Sequence, residues 1–128
     1  MDDIVKLLLG LEGQKLPEKR FKIKRLTALC GADVIFTLKA LPYNRVAEIK
    51  ESTSGDLSID IILAGMVSPD LRNKALLEKH HAPTPAELVK TLLLPGEIED
   101  IAREIEKLSG YRTATISEIK KNEKTTPD

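Results

Sequence analysis

The sequence has no tryptophan and only two phenylalanines and two tyrosines, so aromatics make up 3% of its 128 residues. Proteins that grip single-stranded nucleic acid stack bases on aromatic rings, and so thin a supply argues against that function. The one cysteine, Cys30, has no partner for an internal disulfide, which fits a reducing compartment. An excess of either charge is missing too. Twenty Lys and Arg balance 20 Asp and Glu, so no global field steers the chain towards phosphate backbones or anionic lipid. No run approaches the ~20 apolar residues of a membrane span. The opening "MDDIVKLLLGLEG" begins with two acids, where a signal peptide needs a positive stretch. Cytoplasm is the expected compartment.

What is present is the ordinary balance of a globular chain, 41% hydrophobic and 31% charged residues. A chain this long buries roughly two-thirds of its unfolded surface. One globular domain is expected over residues 1–116. The polar end from 117 to 128, "SEIKKNEKTTPD", is expected to be disordered.

Patterning points to an α+β fold, an N-terminal antiparallel β-hairpin packed on a bundle of short, proline-initiated α-helices. Residues 2–11 read as a short amphipathic helix capped by Asp2 or Asp3, with Ile4, Leu7, Leu8 and Leu11 on one side and Gly10 or Gly13 at its end. Phe21 and Ile23 then alternate with Lys22 and Lys24, and Val34, Phe36 and Leu38 alternate with Ile35, Thr37 and Lys39. Two such period-2 runs, separated by a segment containing Gly31, Ala32 and Asp33, suggest a hairpin at about 19–40 with one buried face.

Prolines punctuate the helices expected at about 42–110. One starts at Pro42 with Val46 and Ile49 inward. "GDLSIDIILAGMVS" is apolar nearly all round, as suits a helix in the middle of a bundle, although its β-branched content leaves a strand open. The next restarts at Pro69 and places Leu71, Ala75 and Leu76 inward. Thr84, Pro85 and Glu87 make a capping-box start. A proline inside a helix costs ~3 kcal/mol but little in the first turn, so Pro95 in "TLLLPGEIEDIAREIEKLSGY" begins a helix rather than kinking one. Ile98, Ile101, Ala102, Ile105 and Leu108 line its buried face, and Gly110 supplies a left-handed stop.

A search for chemistry finds little. His80 and His81 are adjacent, so they point about 100° apart on a helix, and no Cys or further His stands at ligand spacing; they suit the negative end of a helix. Cys30 has no triad partners legible in the sequence. Glu97, Asp100 and Glu104 share a stripe opposite Ile98, Ile101 and Ile105, the arrangement of a solvated helix face. No glycine-rich phosphate loop occurs. No catalytic residue, cofactor or metal ligand is assigned.

Two stretches invite a binding reading. Residues 15–25, "KLPEKRFKIKR", hold six Lys or Arg against one Glu. They suit either a basic surface for nucleic acid or an acidic partner, or an edge strand guarded by lysines; the guarded edge is the simpler of the two. "IVKLLLGL" near the N-terminus either packs on the core or stays exposed as an adhesive helix for self-association or a partner.

The segments "KLPEKRFKIKRLTALCGADVIFTLKALPYNRVAEI" and "AGMVSPDLRNKALLEKHHAPTPAELVKTLLLPGEIEDIAREIEKLSGY" together resemble the XkdN-like tail assembly chaperones of long-tailed phages and prophage elements. The resemblance runs from about residue 3 to 111. Its most specific parts are the "SPDL" turn, the "TPAELVKTLLLPGEI" block and the "LSGY" end. It departs from the family at "HHAPTP", where an aromatic–glycine pair is expected before "TP".

The resemblance implies a non-enzymatic protein that binds the tape-measure protein in the host cytoplasm, keeps it soluble, helps recruit tail-tube subunits and is absent from the finished particle. Its expected partner-binding residues are Ile4, Leu7, Leu8 and Leu11 on the first helix and Leu92, Leu93 and Leu94 before Pro95. A small DNA-binding regulator is the alternative from another class, disfavoured by the neutral charge and the lack of a basic recognition helix.

Overall fold

The computed structural model describes residues 2–13, 15–52 and 54–119. Among these, seven helices and three strands follow in the order α1 (Asp3–Leu9), β1 (Glu18–Lys22), α2 (Lys24–Cys30), β2 (Ile35–Lys39), α3 (Tyr43–Ser52), α4 (Leu57–Gly65), β3 (Met66–Ser68), α5 (Lys74–Lys79), α6 (Pro85–Leu92) and α7 (Pro95–Leu108). The strands form one antiparallel sheet in the order β1-β2-β3. The architecture is α+β, with the β1–β2 pair at the N-terminal side as expected.

The sheet differs from a simple hairpin in two ways. A two-turn helix, α2, joins β1 to β2 where only a connecting segment containing Gly31, Ala32 and Asp33 is expected. Leu26 of α2 is buried, the Thr27 hydroxyl accepts a 2.9 Å bond from the Val34 N–H, and Gly31 closes the helix with φ 70°. Alternation on either side hid this helix, because seven residues hold too few turns to show a 3.6 period. The second difference is β3. The apolar segment after Gly55 is helical only to Gly65, and its last three residues pair with β2, so the helix and strand readings each hold over part of it. The register slips between Thr37 and Leu38, so a bulge accommodates the short third strand.

The core is aliphatic. Phe36 is its one fully buried aromatic among the described residues, and Leu38, Ile62, Leu88, Val89 and Ile105 are its other large side chains shut off from solvent. Phe36 and Leu38 come from the inward face of β2, and Ile23 follows β1 on the same side, as their alternation requires. Helix α4 packs against α3, α6 and α7, and α7 also packs against β2. The closest approach is at Gly65, where a Cβ would lie 2.8 Å from Ile105 Cδ1 and Cγ2. Only a missing side chain lets α4 and α7 pack that tightly.

Local signals set most helix ends. Thr84 Oγ1 accepts from the Glu87 N–H at 3.2 Å, with Pro85 in the first turn of α6. The reciprocal half of that capping box is absent, since the Glu87 carboxylate pairs with Lys90 instead. At the end of α7 the Gly110 N–H bonds Lys107 O and the Tyr111 N–H bonds Glu106 O, with Gly110 at φ 98°. This is a Schellman stop.

The same pattern ends α5. There the Ala82 N–H reaches Leu77 O and His81 takes the left-handed position, φ 51°, where a glycine would be free of strain. Helix α5 itself starts later than expected, at the Asn73 cap rather than Pro69. Leu71 is buried in the lead-in, and Leu76 packs against the core, but Ala75 is exposed. The expected polar tail falls, from residue 120 on, outside the described residues.

Glu97 belongs to no solvated stripe. Its carboxylate takes bonds from Arg25 Nε (3.1 Å to Oε2) and Nη2 (2.9 Å to Oε1), and accepts the Leu94 N–H at 2.7 Å. Arg25 Nη2 also donates to the Leu92 carbonyl at 2.9 Å. One guanidinium therefore satisfies the C-terminal end of α6 and the first turn of α7 together. The side chains of Arg25 and Glu97 keep 34% and 19% exposure.

The bonds from Arg25, and then the Leu94 N–H, hold Glu97 below the usual carboxylate range against the opposing effect of burial. A group depressed in the folded state binds fewer protons there than in the unfolded chain. Its stabilisation is thus complete above the unfolded value, about 4.3, and vanishes as pH falls through the folded value. Glu97→Gln should lower stability near neutral pH, and the gap to wild type should close under acid. Urea midpoints measured across that window check this, and a gap that stays constant refutes it.

Gly65→Ala should destabilise the fold by about 1–3 kcal/mol through overpacking against the fully buried Ile105, despite alanine's better helix propensity, worth ~1 kcal/mol. A urea midpoint equal to or above wild type would show that the two helices can part at no cost.

Candidate partner-binding surface

Helix α1 is well formed and almost entirely bare. Asp2 caps it, with Oδ1 accepting the Ile4 N–H at 3.0 Å, and the Gly10 N–H closes it onto Lys6 O and Leu7 O. Of its expected contact residues, Ile4 is 62% exposed, Leu7 73%, Leu8 60% and Leu11 57%. Val5 and Leu9, which the single-face reading leaves out, are exposed as well. No residue of α1 enters the core or packs against it, so packing on the protein's own core is ruled out for this arrangement. Among the described residues, the hydrogen bonds of α1 all close within residues 2–11.

The three leucines before Pro95 split. Leu93, expected to meet a partner, is instead buried in the core at 5% exposure. Its extended backbone, φ −112° and ψ 148°, alternates side chains between inside and outside. Leu92 is half-buried against the core, and Leu94 is about half exposed at the α7 N-cap. Leu94 alone of the three offers open apolar surface. Leu29, Tyr43 and Ile116 are also strongly exposed and stood outside the expected set, because an isolated apolar residue in a helix or loop carries no sequence signal of exposure.

The groups that could carry chemistry lie apart. Cys30 is exposed. His80 caps α5 and His81 follows it at the surface. Among the described residues no three of His, Cys, Asp and Glu gather as a metal site, and no helix is long and apolar enough to cross a membrane. Arg25 and Glu97, whose titration is displaced, are spent on each other. A cavity of about 220 Å³ between α3, α4 and α7 has an aliphatic floor including Val46, Ile61 and Ile105. At its rim Lys50 Nζ stands 5.6 Å from the Tyr111 ring centre, a cation–π contact.

The distinctive sequence blocks prove to be corners of the scaffold. In "SPDL", Asp70 accepts the Arg72 N–H at 2.9 Å and Leu71 enters the core. "TPAELVKTLLLPGEI" is α6, the Arg25 clasp and the start of α7. In "LSGY", Ser109 Oγ donates to Ile105 O at 2.8 Å and accepts the Leu41 N–H at 2.9 Å, tying the end of α7 to the segment after β2.

The crystal structure of the protein yqbn shares this fold, with a TM-score of 0.60 at 24% identity over 79% of this chain and 92% of that one. No curated protein matches the chain. The family model for the phage XkdN-like tail assembly chaperone protein matches residues 5–123, a span that includes most of α1, the clasped α6–α7 corner and the Ser109 tie. The chain therefore belongs to the XkdN-like phage tail assembly chaperones.

Proposed function

We propose that the protein binds the tape-measure protein of its phage or prophage in the bacterial host's cytoplasm, keeps it soluble, and yields it to tail-tube subunits without entering the mature particle. The bare apolar helix α1 carries this reading, together with membership of the chaperone family. Isolated helices shorter than about 12–15 residues are marginal in water, and α1 has seven. Such a helix gains order by laying its leucines against another apolar helix.

A long helical tape-measure chain has apolar stripes to cover. Each contact contributes about 25 cal/mol per Å² of apolar area buried, less the cost of ordering both partners. Weak sites repeated along one long chain gain by multivalency and still release one at a time. Leu94, with the half-buried Leu92, is the second contact on this reading. The role is one of binding, with no chemical step assigned to any residue.

Co-expression should raise the soluble fraction of the tape-measure protein, and the double variant Leu7→Glu with Leu8→Glu should abolish that gain. Both leucines are exposed, so the variant's own unfolding free energy should change by no more than about 0.5 kcal/mol. A wild-type chain that leaves the tape-measure protein insoluble sinks the reading, and a double variant that still protects it removes α1 from the interface.

A further inference from the structure

The segment that leaves α7 carries apolar side chains with nothing over them. Ile116 is 90% exposed and Ile119 62%, in a stretch, "TATISEI" (113–119), whose other residues are small or polar. The chain doubles back at once. Arg112 takes φ 57° after Gly110 at 98°, and Thr115 Cγ2 comes within 3.8 Å of where a Cβ on Gly110 would lie. Ile116 therefore emerges beside the end of α7.

That end of α7 helps to wall the cavity of about 220 Å³ between α3, α4 and α7, since Ser109, Tyr111 and Arg112 line it. Ile116 follows Arg112 by four residues, a reach of up to about 14 Å in extended chain. An apolar cavity of about 150 Å³ takes up benzene, so this one has room for an isoleucine side chain. Three charged residues stand at its wall, Lys50, Glu106 and Arg112. Glu106 and Arg112 pair with each other at 3.5 Å. Among the described residues Lys50 joins no ion pair and has only the Tyr111 ring, and Glu118 is unpaired as well.

We propose that residues 113–119 form a strap that closes over this cavity in the same chain, with Ile116 filling it and Glu118 pairing with Lys50. In extended chain, residues two apart face the same way, so Ile116 and Glu118 turn inward together and Ile119 stays outside. The tether keeps the strap at an effective concentration on the order of millimolar, so one side chain and one ion pair are enough to hold it. In the structure the strap stands open, with Ile116 almost wholly exposed. Closing withdraws an aliphatic site from any partner, and opening offers it. This device is independent of α1 and of the tape-measure reading.

The test uses the full-length protein with labelled isoleucine methyls, and benzene as the probe of the cavity. In the wild type, NMR should show cross-relaxation between the Ile116 and Ile61 methyls at every protein concentration. Benzene should shift the Ile61 and Ile105 methyls and bind about tenfold more tightly to Ile116→Ser, as expected for a strap closed about nine-tenths of the time. Glu118→Lys should tighten benzene binding in the same direction, and Lys50→Glu with Glu118→Lys should restore the wild-type affinity. Ile119→Ser should leave it unchanged. All four positions are exposed, and circular dichroism checks that each variant keeps the fold.

Equal benzene affinity in wild type and Ile116→Ser, or no cross-relaxation between Ile116 and the cavity methyls, overturns the proposal. So does an Ile119→Ser variant that behaves like Ile116→Ser, which would turn the other face of the segment inward. A double charge exchange that stays as open as Glu118→Lys alone overturns the contact with Lys50. Methyl contacts that arise only between differently labelled molecules and fade on dilution overturn closure within one chain, because they make the occupant a second copy.

Discussion

The packing of Ile105 on Gly65 is the constraint from which the rest of the architecture follows. Helix α7 is the longest element and buries one face against both α4 and the sheet. That double contact is possible because α4 presents a backbone surface where Ile105 sits fully buried. With a single buried aromatic, the core has no large ring to fill a gap, so interior density has to come from close backbone approach and branched aliphatics. Moving α7 outward by a methyl's width would loosen Phe36 and Leu38 beneath it as well as Ile62 beside it.

Polar contacts then fix α7 lengthwise. Arg25 reaches from α2 to bind Glu97 and the Leu92 carbonyl at one end, and Ser109 takes the Leu41 N–H at the other. Each contact joins residues far apart in sequence at a helix terminus, where backbone groups lack helical partners. The core supplies non-directional attraction, and these end contacts choose one seating of α7 upon it. Pro95 breaks the chain because its missing N–H costs nothing at a helix start. The clasp then holds the two helices at the angle that break allows.

What the sequence disclosed tracks the range of the interaction involved. The Thr84 cap, the Pro95 start and the Gly110 stop depend on neighbours within four residues, and all three stand where pattern places them. The α+β class follows equally well from alternation around Phe36 and periodicity around Ile101. Glu97 looked like one more surface acid because its partner is 72 positions away. Leu93 looked like part of an apolar shoulder because its direction depends on a backbone twist between two helices. The extent of strand β3 was not legible, because three residues cannot display a period and only the waiting edge of β2 makes them a strand. The bareness of α1 was the least legible feature. An apolar stripe states that a face seeks cover, and its sequence is the same whether the cover is the protein's own core or another chain.

On the proposed function, a short α1 is an advantage for a protein that must let go. Seven residues cannot hold a stable helix by themselves, so part of the burial energy of every contact is spent on ordering the helix that makes it. A longer, self-stable helix with the same leucines would bind more tightly and release more slowly. The scaffold motifs leave α1 untouched, since SPDL, the Pro95 block and LSGY all act at corners of the core. The binding helix can thus be tuned in length and apolarity without disturbing the fold that carries it. A rigid core bearing a marginal apolar helix is a physical arrangement suited to repeated, reversible cover of a long partner.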